Sequence, residues 1–138
     1  MSQDCPFCAI VDGDAPASVV DETDDLLAFM DLNPITEGHA LVIPKDHAAG
    51  LGSLDPETGG RMFEEAMAVA AAVRDSDLDP DGIDLFLADG EAAGQEVFHV
   101  HLHVIPRYEG DGVVLPVGEG PADRAELDAI AAELSASL

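Results

Sequence analysis

The stretch His99-Val100-His101-Leu102-His103-Val104-Ile105-Pro106-Arg107 places three of the chain's five histidines at alternate positions. Imidazole is the side chain that titrates near neutral pH, which suits it to acid–base work, nucleophilic attack and metal binding. The alternation predicts a half-buried strand over 97–105, with Phe98, Val100, Leu102 and Val104 toward a core and His99, His101 and His103 on the opposite face. At ~3.3 Å per residue the outer two histidines lie roughly 13 Å apart along an unbulged strand. Metal–nitrogen bonds are about 2 Å, so the three cannot share one ion and must divide their work. Arg107, just past the strand, reads equally as an anion contact or as a surface arginine paired with an acid. Cys5-Pro6-Phe7-Cys8 is a second short constellation. Taken alone, C-x-x-C fits an idle reduced pair, a redox site or a pair of metal ligands. A thioredoxin-like reading fails because the motif precedes the first strand instead of opening a helix in a βαβ pattern.

These residues need elements to hold them. Residues 18–21, Leu26–Asp31 and His39–Pro44 read as strands, the last ended by its proline. Asp55-Pro56 is a helix start, and Met62, Phe63, Ala66, Met67, Ala70 and Val73 recur at helical spacing to about Asp75. Ile83–Ala88 is a fourth strand, joined by a glycine-containing turn to the histidine strand as an antiparallel hairpin. Leu127, Ile130, Ala131 and Leu134 predict an amphipathic helix over about 121–136. The expectation is an α+β fold with about five antiparallel strands and two helices, in a single domain over 1–138.

Composition excludes several partners. There are 29 acidic residues against five basic ones (Lys45, Arg61, Arg74, Arg107 and Arg124), a formal net charge of −24. Nucleic acid is not expected, because backbone binding needs clustered Lys and Arg, and anionic membranes are excluded on the same ground. With 47% hydrophobic residues the chain is not a disordered acidic tail. The acidity reads as a solvated surface of the kind found in salt-rich cytoplasm. No apolar run approaches ~20 residues, and the first residues lack a basic leader region, so a soluble cytoplasmic protein with reduced cysteines is expected.

His99–Arg107 resembles the signature of the histidine triad (HIT) superfamily, His-φ-His-φ-His-φ-φ. The likeness extends in order through Cys5-Pro-Phe-Cys-Ala-Ile-Val, Leu27-Ala-Phe-Met-Asp, Pro34 with Gly38-His39, Leu41-Val-Ile-Pro-Lys-Asp-His47 and Ala93-Gly-Gln95, covering about 4–109. It leaves the C-terminal helix outside. The resemblance implies a nucleotide hydrolase or transferase, typically a homodimer whose sheets join across the two-fold. It implies that His101 attacks an α-phosphorus to form a nucleotidyl-histidine, that His103 contacts the phosphate, and that the His99 carbonyl orients the His101 ring. By the same likeness Gly94 and Gln95 lie beside the phosphate, Asp31 meets the ribose hydroxyls, and Phe7, Ile10, Phe29 and Leu32 surround the base. In relatives with this N-terminal motif, Cys5, Cys8, His47 and His99 match the ligands of a structural zinc ion.

Two positions depart from the pattern. Ala88-Asp89-Gly90 stands where Asn-x-Gly or Gln-x-Gly is expected, and Glu96 replaces a Ser or Thr near the phosphate. The implied substrates are a nucleoside phosphoramidate or a dinucleoside polyphosphate, each releasing a nucleoside monophosphate. The competing readings are a metalloprotein using His99 and His101 as ligands and a nucleotide-binding module without catalysis.

A surface at −24 repels anionic nucleotides at low ionic strength. The Debye length falls from about 10 Å at 0.1 M salt to about 3 Å at 1 M, which removes most of that repulsion. For a polyanionic nucleotide substrate, kcat/KM is expected to rise from dilute buffer to molar salt, mostly through KM, with folding verified by circular dichroism. A flat or falling trend in folded protein would refute the salt-adapted reading.

Overall fold

The computed structural model describes residues 4–138; residues 1–3 of the expected domain lie outside the described residues. Five strands, β1 (Val19–Glu22), β2 (Leu26–Met30), β3 (Ala40–Pro44), β4 (Gly82–Phe86) and β5 (Leu102–Arg107), form one antiparallel sheet in the order β1-β2-β3-β5-β4. Three helices accompany it: α1 (Pro6–Val11), α2 (Pro56–Asp75) and α3 (Arg124–Ala136). The α+β class, the five antiparallel strands and the β4–β5 pairing agree with the sequence reading. No helix among the described residues is long and apolar enough to cross a membrane.

Strand alternation sends side chains to both faces of the sheet, and both are covered. Leu26, Ala28, Ala40, Val42, Leu102 and Val104 pack against Met62, Ala66, Val69 and Val73 of α2. On the other face Leu27, Phe29, Leu41 and Ile43 pack against Cys5, Phe7 and Cys8. The β2 and β3 central residues are therefore buried whichever way they point. Cross-strand pairing aligns Phe29 with Leu41, Leu41 with His103, and His103 with Phe86. That row lies on the α1 side and is the floor on which the candidate site is built.

Four expectations are corrected. The helix α1 is an addition to the expected two helices. Its cap is Cys5, whose sulfur accepts the Cys8 amide at 3.3 Å, a weaker cap than the oxygen side chains that announce a helix start. In α2, capped by Asp55 as expected, Phe63 and Met67 are exposed. Met62, Ala66, Val69 and Val73 form the single stripe that faces the sheet, and Phe63 and Met67 lie one step of about 100° around the helix from it.

The expected strand over 97–105 begins only at Leu102. Its first half is pulled out of the ladder: the Val100 amide donates to the Ala48 carbonyl at 2.7 Å, and Phe98 is 49% exposed instead of buried. Finally, α3 forms where expected, from an Asp123 cap, but buries none of its residues. Both faces of the sheet are already covered by α1 and α2, so the Leu127, Ile130, Leu134 stripe finds no face of its own chain to join.

Candidate active site

The two short motifs meet at one end of the sheet. A cavity of roughly 910 Å³ opens over the Phe29–Leu41–His103–Phe86 row. Phe7, Ile10, Phe29, Asp31, Leu32, Gly94, His101 and His103, all singled out from the sequence, line it. Phe7 packs edge-on against Phe29, with ring centroids 5.4 Å apart, and against His101 at 5.1 Å. One aromatic ring thus forms the apolar wall and braces the imidazole.

His99 and Gln95 are not on the cavity wall. The Gln95 side chain is buried: its amide nitrogen donates to the Ala49 and Val97 carbonyls at 2.7 and 3.0 Å, and its oxygen accepts from the Gly90 amide at 2.8 Å. It braces the loop that carries Gly94, whose φ of +94° lies in the left-handed region. Ala88 is buried away from the cavity, whereas Glu96 lines it. Arg107 takes the paired alternative: it donates to both oxygens of Asp111, to Asp84 and to the Val113 carbonyl. This network holds the Asp111 carboxyl well below the usual carboxylate range.

Backbone groups fix the tautomers of the imidazoles at this end of the sheet. The His101 Nδ1–H donates to the His99 carbonyl at 2.8 Å, which leaves Nε2 with its lone pair. His39, which sequence reasoning did not single out as a site residue, lies at the N-terminal end of β3 and is 1% exposed. Its Nδ1 accepts the Ile35 amide at 3.0 Å, so in the neutral ring Nε2 bears the proton. That Nε2–H points at His103 Nδ1, 2.8 Å away, with the Asp31 carboxylate 3.4 Å from the same nitrogen. His103 then carries its own proton on Nε2. Alternation could have flagged His39: it shares a face with Leu41, the cross-strand partner of His103. Gly38 lets the chain enter there, with φ +92° and a position where a Cβ would lie 2.7 Å from Leu78 Cδ1.

Burial disfavours the charged forms of His39, His99 and His103. It pushes His103 down to about 4, with help from neighbouring His101 and His39, and it lowers His39 and His99 against partly opposing partners. A neutral His103 is a donor without a charge, and the resulting group is a lone pair on His101 beside a donor on His103, with ring centroids 4.9 Å apart.

The second cluster consists of Cys5, Cys8, His47 and His99, whose ligand atoms all lie within 4.8 Å of one another. Cys5 Sγ is 3.3 Å from His99 Nδ1, Cys8 Sγ is 3.5 Å from that nitrogen, and Cys8 Sγ is 3.3 Å from His47 Nδ1. Bonds of about 2.0–2.3 Å put the ligand atoms of a tetrahedral ion roughly 3.3–3.8 Å apart, so the set fits one ion. The His99 Nε2–H donates to the Pro44 carbonyl at 2.7 Å, which frees Nδ1 for a metal, as outer-shell partners of metal-bound histidines do. Burial and the adjacent Cys5 push the Cys8 thiol up to about 11, a preference for the neutral form that a cation would reverse. A second acid–histidine group, Asp31, His39 and His103, is close enough for a metal by proximity alone. Its 2.8 Å nitrogen–nitrogen contact has the length of a hydrogen bond and is shorter than the roughly 3.3 Å between two nitrogen ligands of a tetrahedral ion. A shared metal on His99 and His101 has no support, since Nδ1 of His99 faces the cysteines and Nδ1 of His101 is held by a carbonyl.

Comparison with known proteins gives one family. The HIT domain family profile matches residues 12–110. A HIT family protein of Bacillus anthracis has the same architecture, with a TM-score of 0.91, 36% identity, and coverage of 100% of this chain and 99% of that one. A zinc-bound histidine triad family protein of Mycobacterium smegmatis is 44% identical, with a TM-score of 0.79 and full coverage of both chains. An adenylylsulfatase of Arabidopsis thaliana is 36% identical over 111 residues, which are 80% of this chain and 56% of that protein.

The depressed histidines fix a sign for stability against pH. The unfolded rings bind protons near pH 6.5, and folded His103 only near 4. Their contribution is fully present above about 6.5 and is lost as pH falls through about 4. His103→Asn should therefore show a shallower fall of Tm between pH 7 and 4 than the wild-type chain. Parallel curves would contradict a neutral His103.

Proposed function

The chain belongs to the HIT family, and from that premise we propose that it is a nucleotide hydrolase working through a covalent nucleotidyl-histidine on His101. The observation that carries this reading is the 2.8 Å bond from His101 Nδ1 to the His99 carbonyl, which aims a free Nε2 lone pair from the cavity wall. In the first step Nε2 bonds to the α-phosphorus, and the bond from phosphorus to the leaving group breaks. The leaving group keeps the electron pair and takes a proton from solvent. In the second step water adds its oxygen to phosphorus, the phosphorus–nitrogen bond breaks, and a nucleoside monophosphate leaves. The water's remaining proton passes to solvent and His101 is regenerated. Splitting one displacement into two lets a neutral imidazole do work that water does slowly.

The neighbouring residues divide the remaining tasks. His103 donates its Nε2–H to a phosphate oxygen, and the His39–Asp31 pair behind it holds that proton in place. Asp31 reaches the ribose hydroxyls from the same wall, and Phe7, Ile10, Phe29 and Leu32 enclose the base. Gly94 leaves room at the phosphate because a Cβ there would meet open space. Zinc on Cys5, Cys8, His47 and His99 would have four protein ligands and no open position, so its part is structural. It would tie α1 to the segment before β5, on which His101 sits.

We also read the protein as a homodimer with its sheet continued across a two-fold through β4. Leu85 and Phe86 are exposed on that edge strand, and Phe63 and Met67 on α2, which supports a second copy covering them. A monomeric mass by light scattering would overturn the dimer.

The reaction is tested by quenching turnover of adenosine phosphoramidate and looking for an adenylylated peptide by mass spectrometry. The adduct should be found on the peptide containing His101 and be absent, with turnover, in His101→Asn, while mononucleotide binding persists. Incubation with EDTA should lower the melting temperature and remove about one zinc per chain without abolishing adduct formation in chains still folded. Turnover retained by His101→Asn would remove His101 from the nucleophile role.

A further inference from the structure

The nucleotide cavity has no Lys or Arg among the described residues lining it. Its charged wall residues are Asp31 and Glu96. Of the five basic residues, Lys45 is bound to Glu22, Arg61 to Asp25, and Arg107 to Asp84 and Asp111, while Arg74 in the last turn of α2 and Arg124 at the start of α3 do not line the cavity. A polyphosphate leaving group would place several negative charges in a cavity with nothing positive to receive them. An alkylamine leaving group brings none, and one with a second ammonium brings a positive charge.

Glu96 is placed where such a charge would be felt. It follows Gln95, whose three side-chain hydrogen bonds anchor the loop, so the Glu96 backbone is held beside the phosphate end of the cavity. Glu96 also lines a smaller recess of about 300 Å³, which shares Pro6, Glu96 and Val97 with the main cavity. The recess adds Asp4, Cys5, His47 and Phe98, so it offers two carboxylates and an aromatic ring and backs onto the Cys5 and His47 side of the cysteine–histidine cluster. The exposure of Phe98, which the strand pattern would have buried, is accounted for by its place on this wall. An aromatic face beside carboxylates suits an ammonium on a short apolar stem.

We propose that Glu96 determines leaving-group specificity, and that the substrates are nucleoside phosphoramidates whose amine carries a further positive charge, received in the recess between Glu96 and Phe98. This rests on the reading of His101 as the nucleophile. The phosphorus–nitrogen bond breaks as Nε2 bonds to phosphorus. The departing nitrogen keeps the pair and takes a proton from solvent, and the ammonium at the other end of the stem stays charged throughout.

The test compares three adenosine 5′-phosphoramidates of equal chain length, with a terminal ammonium, methyl or carboxylate, at the lowest salt that keeps the protein folded. Wild type should give kcat/KM in the order ammonium, methyl, carboxylate. Unit charges about 6 Å apart at an effective dielectric near 40 change a rate about tenfold, so Glu96→Gln should shrink the ammonium-to-methyl ratio by about that factor. Glu133→Gln, which removes the same charge from α3, should leave the ratio alone and so separates Glu96 from the overall field. An unchanged ratio in Glu96→Gln, or no ammonium preference in wild type while the methyl compound turns over, overturns the proposal and leaves the nucleophile standing. A folded protein that turns over none of the three compounds overturns both.

Discussion

Four of the five imidazoles in this protein, all but His47, have one nitrogen held by a neighbouring group of fixed polarity. The Pro44 carbonyl holds His99, the His99 carbonyl holds His101, and the Ile35 amide holds His39, which in turn donates to His103. A carbonyl can only accept and an amide N–H can only donate, so the other nitrogen of every ring has its role assigned. The rings differ in which nitrogen is held: Nδ1 in His101, His39 and His103, and Nε2 in His99. At His39, His99 and His103 burial adds to this by disfavouring the charged form, which would erase the distinction between the two nitrogens.

Much of the structure serves to keep those backbone groups in place. Pro44 ends β3, the central strand with both faces buried, so its carbonyl is carried on the most enclosed part of the sheet. The Val100 amide takes the Ala48 carbonyl and draws the triad's first half out of the ladder, turning His99 toward Cys5 and Cys8. Without that departure, His99 and His101 would point to one face and His99 would not join Cys5, Cys8 and His47. Phe7 joins the two clusters mechanically, since its ring touches both His99 and His101 edge-on. The fold trades strand pairing for divided histidine function.

Legibility in the sequence follows how local each determinant is. The succession of strands along the chain and the Asp55 cap were readable because residue type and spacing carry them, whereas the ring of cavity residues came from the family resemblance of the motifs. His101 and His103 were readable as partners because two-residue alternation survives into β5. The withdrawal of His99 was not, because it depends on the bond from the Val100 amide to the Ala48 carbonyl, distant in sequence. Neither was α1, a turn and a half whose cap is a cysteine, since a helix so short owes its existence to tertiary packing. Phe63, Met67 and the α3 stripe have the right period for burial. Period alone cannot say that the sheet faces are already occupied.

The central claim is that the backbone sets the imidazole roles, and the ring nitrogens report on it directly. Long-range 1H–15N correlation spectra of the folded chain near pH 7 distinguish the two neutral tautomers of each histidine. The account predicts His101 protonated at Nδ1 with an unprotonated Nε2, and His103 and His99 protonated at Nε2. A His101 protonated at Nε2, or charged at that pH, would contradict it, because the lone pair on which the chemistry depends would then be absent.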